Sequence, residues 1–125
     1  MEDNKFYVLI VGSRGFDDYD FLVKRCDHLL QKHKEIVVVS GGARGADALA
    51  KRYAQDKGYE YIEFPADWNK YGKRAGYIRN EEMHKFIAKK SKRGVIAFWD
   101  GESKGTKHNF GLAEKYNNQL RIEKY

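Results

Sequence analysis

At 125 residues, with 42% hydrophobic and 14% aromatic side chains, the sequence has the apolar mass for one packed domain over 1–125 and none of the character of a disordered chain. Lysine and arginine total 24 against 18 aspartate and glutamate, and the net charge of +6 favours anionic partners without choosing among DNA, RNA, nucleotides and phosphorylated metabolites; the same surplus also serves plain solubility. No apolar run nears the roughly 18 residues that cross a bilayer, and no cationic-then-apolar leader precedes the first strand, so a cytoplasmic protein without a membrane partner is expected.

Residues 6–11 form a continuous apolar run closed by Gly12, the pattern of a strand buried on both faces. After Gly12-Ser13-Arg14-Gly15, with Asp17 and Asp18 as capping candidates, Leu22, Cys26, Leu29 and Leu30 recur at helical spacing and predict a helix through about His33. A second buried strand at 35–40 again runs into glycines, Gly41-Gly42-Ala43-Arg44-Gly45. Ala46, Leu49, Ala50, Tyr53 and Ala54 then make the apolar stripe of a second helix, with Gly58 placed as its C-terminal cap. Residues 59–64 read as strand three, and 65–74, opened by the only proline, as a loop carrying Trp68 and Tyr71. Helix three is expected over 75–90 with Ile78, Met83, Phe86 and Ile87 inward, strand four over 94–99, helix four over 106–116, and a short edge strand over 120–123. Strands alternating with helices imply an α/β, three-layer, Rossmann-like domain with a parallel sheet, because parallel neighbours need crossover connections.

In such a sheet, ligands bind beyond the carboxyl ends of the strands. Three glycine-bearing loops reach that rim: 12–15, 41–45 and 101–106. Each leaves a buried strand and enters a helix, so backbone amides could face an anion at the positive helix end. Arg14, Lys104 and Arg44 add charge there, and Ser13 and Thr106 add hydroxyls; glycines after strands also serve as plain tight turns. Asp47, in the first turn of helix two, suits a ribose hydroxyl or a simple cap. Arg79, Asn80 and Glu82, early in helix three, point to the same rim or form a solvated face. Trp68, Tyr71 and Tyr77 could stack on a base or fasten the loop.

Neither the dinucleotide fingerprint G-x-G-x-x-G nor G-x-x-x-x-G-K-[ST] occurs, strand two ends in Ser40 without an acidic residue, and no G-x-S-x-G surrounds a serine. Cys26 is alone, and His28, His33, His84 and His108 lack metal-ligand spacing, so neither a metal nor a cofactor is called for and no redox chemistry is expected.

The ordered segments VGSRGFDDYDFL, VVSGGARGADALAKRYA, FPADWNKYGKRAGYIRNEEM and VIAFWDGESKGTKHNFGLAEK resemble the SLOG superfamily of Rossmann-like nucleotide-ligand-binding domains, in its small YspA/YpsA-related branch, across about residues 6–118. The resemblance implies strand order 3-2-1-4-5 and a pocket lined by Gly12, Ser13, Arg14, Gly41, Gly42, Gly45, Asp47, Arg79, Asn80, Lys104, Gly105 and Thr106. It also implies that the partner is a nucleotide-derived small molecule, and that copies pair as homodimers. Members include phosphoribohydrolases with the signature P-G-G-x-G-T-x-x-E and DprA-like proteins that bind single-stranded DNA. Here Gly105-Thr106 matches the G-T step, but Asn109 stands at the glutamate position and cannot exchange a proton as a carboxylate does. Binding or sensing of a phosphate- and ribose-containing ligand is therefore the leading expectation. One alternative is a glycosidic-bond hydrolase in which Asp47, Glu82 or Asp100, or Glu114, replaces the glutamate; another is a single-stranded nucleic-acid module.

Overall fold

The computed structural model describes residues 4–125. Five parallel strands, β1 (Phe6–Gly12), β2 (Ile36–Ser40), β3 (Glu60–Glu63), β4 (Arg93–Trp99) and β5 (Leu120–Lys124), form one sheet in the order β3-β2-β1-β4-β5. The fold is Rossmann-like α/β, as expected. β1 lies centrally, pairing Val8 with Val38 on one side and Ile10 with Ile96 on the other, which explains why its sequence is apolar without alternation.

The period of two sorts these side chains between two cores. Val8, Ile10, Val38, Ile96 and Phe98 face helices α1 (Tyr19–Leu30) and α2 (Ala46–Lys57), packing on Leu22, Cys26, Ala50 and Tyr53. Tyr7, Leu9, Val11, Val39 and Ala97 face the opposite way, toward α4 (Ala75–Ala88) and α5 (Lys104–Lys115), and pack on Met83, Ile87 and Phe110. The chain thus leaves β1 for one face and β4 for the other. This divergence opens the sheet between their carboxyl ends.

Local signals explain the boundaries. The Asp18 carboxylate accepts from the Phe21 amide at 3.0 Å and starts α1. That helix stops at Leu30, three residues short of the expected end, because the chain turns to stack His33 on Phe6 with ring centroids 3.8 Å apart. Gly58, at φ +73°, closes α2 as predicted. The expected loop over 65–74 instead holds a single-turn helix, α3 (Trp68–Tyr71), capped by the Asp67 side chain, and a 3-10 turn (Gly72–Arg74). Neither buries a residue, so no apolar period marks them. β5 forms the edge and is tied to α1 by the Arg25–Glu123 ion pair at 2.8 Å. Among the described residues no helix is long and apolar enough to cross a membrane.

Candidate functional site

A cleft of about 450 Å³ opens where β1 and β4 diverge. It is lined by Val11, Gly12 and Ser13 at the end of β1, by the loops that follow β1, β2 and β4, by residues of α2, α4 and α5, and by Trp68 on α3. Of the residues expected to bind a ligand, Gly12, Ser13, Arg14, Asp47, Arg79, Asn80, Gly105 and Thr106 line it, and so does Asp100. Gly41, Gly42, Gly45, Lys104 and Glu82 do not.

The departures have physical causes. The Gly41 carbonyl accepts from Arg79 Nη1 at 2.7 Å, so this loop is spent on holding the arginine. A side chain on Gly42 would run into the Glu63 carboxylate. Gly45 adopts φ +79°, and a Cβ there would fall within 2.4 Å of the Arg14 carbonyl oxygen; its glycine lets two loops touch each other, not a ligand. Lys104 is exposed outside the lining. Glu82 is exposed beside a smaller recess of about 200 Å³ with Pro65 and Tyr71. Glu114 sits nine residues beyond Gly105 on α5, about 14 Å along the axis at 1.5 Å per residue, and is exposed.

Four donors remain unspent at the cleft. Ser13 is buried, and among the described residues its hydroxyl has no hydrogen-bond partner, although it lies near enough to Asp100 to contribute weakly to the low pKa there. The amides of Arg14 and Gly15 donate to nothing among the described residues. Arg79, only 9% exposed, makes no ion pair among the described residues. Its Nη1 and Nε reach the Gly41 carbonyl and the Asn80 side-chain oxygen (3.0 Å), leaving Nη2 without a partner among the described residues. Asn80 in turn donates to His108 Nδ1 at 3.4 Å. A buried cation fixed by neutral oxygens retains its field for an incoming anion. Burial lowers its pKa, which Asp47 partly offsets, and a guanidinium stays charged regardless.

Two carboxyl groups line the same cleft, with acidities shifted in opposite directions. Burial pushes Asp47 up to about 6, against the pull of Arg79, the Ala43 amide and Arg14. The amides of Ser103 and Glu102, donating at 2.8 Å, hold Asp100 below the usual carboxylate range. Near neutrality both are ionised; Asp47, which titrates closer to 7, is the better placed to take up and release a proton, whereas Asp100 stays charged. Asn109 lies at the cleft but is committed: it donates to the Gly105 carbonyl at 3.2 Å and accepts from His84 Nε2 at 3.1 Å, while Asn118 donates to His84 Nδ1 at 3.2 Å. This fixes a neutral imidazole, and burial lowers its pKa to about 4. Periodicity gave no warning that His84 and Asn118 would be buried. No group of three or more His, Cys, Asp or Glu among the described residues could hold a metal.

Of the aromatic residues considered for stacking on a base or fastening the loop, Trp68 and Tyr77 line the cleft, while Tyr71 lines the smaller recess. Lys73, Gly76 and Ser103 join the lining without having been singled out.

A parallel sheet with helices on both faces and a cleft at its topological switch point defines the Rossmann-like α/β class. Solved structures of DNA processing protein A share this fold. That from Helicobacter pylori, described for its single-stranded DNA binding mode, superposes with a TM-score of 0.64 at 21% identity, over 94% of this chain and 64% of the other. That from Streptococcus pneumoniae gives 0.64 at 22% identity, over 94% and 50%. The chain therefore spans less than two thirds of either protein. Residues 6–71 match the YspA, cpYpsA-related SLOG family, and the chain belongs to it. The Gene 61 protein of Mycobacterium phage D29 is 39% identical over 117 residues, 86% of this chain and 88% of the relative.

Proposed function

We propose that the cleft binds a nucleotide-derived small molecule through its phosphate and ribose, and that the chain works as a binding or sensing protein. The observation that carries this reading is Arg79: a buried, unpaired guanidinium held against Gly41 and Asn80 and lining the cleft. The orphaned Ser13 hydroxyl, the free amides of Arg14 and Gly15 and the N-terminus of α5 supply further donors for phosphate oxygens. Asp47 suits a sugar hydroxyl. The volume of about 450 Å³ falls in the range of small-ligand sites, about 300–1,000 Å³.

The test is thermal stabilisation by AMP, GMP, CMP and UMP. At about 100 times its dissociation constant a ligand adds about 2.7 kcal/mol, which for a chain of this size raises Tm by about 10 °C. Ser13→Ala and Arg14→Ala should each reduce that rise. No shift with any nucleotide, or variants that respond like wild type, overturns the proposal.

The likeness to a structure described for single-stranded DNA binding, together with exposed Trp68 and Tyr77 at the cleft, supports a second reading: a nucleic-acid strand lies across this rim. It predicts affinity for an oligonucleotide that falls steeply with salt, because each phosphate contact releases counterions. Affinity unchanged between low and physiological salt removes this reading.

A further inference from the structure

Trp68, Tyr77, Ile122 and Tyr125 are the large hydrophobic side chains that stand exposed among the described residues, and two of them line the cleft. Trp68 is 50% exposed and Tyr77 47%, so each leaves about half of its surface open. The contrast with Trp99 is instructive: its indole N–H donates to the Ser103 carbonyl at 3.1 Å and its ring meets Phe110 edge-on at 5.2 Å. Trp68 has neither a ring partner nor a hydrogen-bond acceptor among the described residues.

Position ties these rings to the anion anchor. Gly76 lies between them: a Cβ at that residue would be 3.6 Å from the Trp68 ring and 3.9 Å from Arg79 Nη2, so indole edge and guanidinium approach one point. Tyr77 is steadied from behind by an edge contact to His108 with centroids 4.5 Å apart, and Asn80 bridges His108 to Arg79. A stacking wall and a phosphate-binding cation therefore share one support. Leaving a tryptophan half in water forgoes the gain from burying it, which a planar apolar ligand face would recover.

We infer that Trp68 and Tyr77 form a nucleobase-stacking subsite, through which the cleft selects whole nucleotides over base-free sugar phosphates. The inference rests on the anionic-ligand reading above and adds a requirement for the base. Ring faces discriminate weakly among bases, so the selection is for the presence of a base.

Calorimetric titration of the full chain with the four nucleoside monophosphates and with ribose 5-phosphate tests it. At least one nucleotide should bind about 10- to 100-fold more tightly than ribose 5-phosphate, the range expected for one base–aromatic stack. Trp68→Ala should remove most of that advantage while leaving ribose 5-phosphate affinity unchanged, and Trp68→Phe should keep most of it. Trp68 is half exposed and belongs to neither core, so its variants should fold, and a matching Tm without ligand confirms this. An oligouridylate in the same titration separates the sources of the base: tighter binding than UMP, lost with Trp68→Ala, assigns the stacked base to a strand, and weaker binding to a free nucleotide. Equal affinity for nucleotides and ribose 5-phosphate overturns the subsite and leaves the anion site standing, as does a Trp68→Ala loss shared by both. Binding of none of these ligands overturns both.

Discussion

Replacing Asp47 with Asn should stabilise the protein, and the gain should depend on pH in a defined direction. In the folded chain this carboxyl titrates near 6 because burial disfavours its charge, whereas an unfolded aspartate titrates near 3.8. Between those values the native state holds more protons than the unfolded state, so the contribution of Asp47 to stability falls as pH rises. The penalty is absent below about pH 3.8 and complete above about 6. At 1.36 kcal/mol per pH unit the difference amounts to about 3 kcal/mol, an upper bound that already includes the attraction of Arg79 and Arg14. Asn removes the charge and keeps an oxygen for the Ala43 amide, which now donates to Asp47 at 3.2 Å. Urea denaturation at several pH values from 4 to 8 checks this. The two proteins should agree near pH 4, and the variant should be more stable by about 1–3 kcal/mol at pH 8. His84, whose pKa burial lowers to about 4, also titrates in this window, with stability lost as pH falls; it is common to both proteins and cancels in the difference. A difference that stays constant with pH, or a variant less stable at pH 8, refutes the reasoning.

Gly45→Ala should cost at least about 1–3 kcal/mol in urea melts, since φ is +79° and the methyl would meet the Arg14 carbonyl. Gly105→Ala should do the reverse, stabilising the ligand-free protein by about 0.5–1 kcal/mol, because it sits in α5 with nothing within 4 Å of a Cβ; its nucleotide affinity should nevertheless drop if phosphate approaches this backbone. Asn109→Ala should lose about 1–3 kcal/mol by stranding the His84 N–H. Chromatography of AMP incubated with the wild-type protein should show no adenine release, since the Asn109 amide is engaged on both sides; release abolished by Asp47→Asn would make the chain a glycosidase.

Much of the scaffold was written locally. The apolar run ending in Gly12 could only be a strand covered on both sides, the Asp18 cap and the spacing of Leu22 and Cys26 defined α1, and Gly58 closed α2. Those signals act within a few residues and survive without knowledge of the rest of the chain. The family segments carried the strand order and eight of the residues that line the cleft. What only the tertiary structure decided is how each polar group is used. Glycine is the same letter at 45 and 105, yet one packs against a neighbouring loop and the other faces open space. Arg79 is a cation in sequence and becomes an anchored, unpaired charge only because Gly41, 38 residues away, offers a carbonyl. Asn109 loses its freedom to His84, 25 residues distant, and Asp47 its ordinary acidity to the walls around it. Burial and partnership are properties of elements brought together from afar, and no local period encodes them.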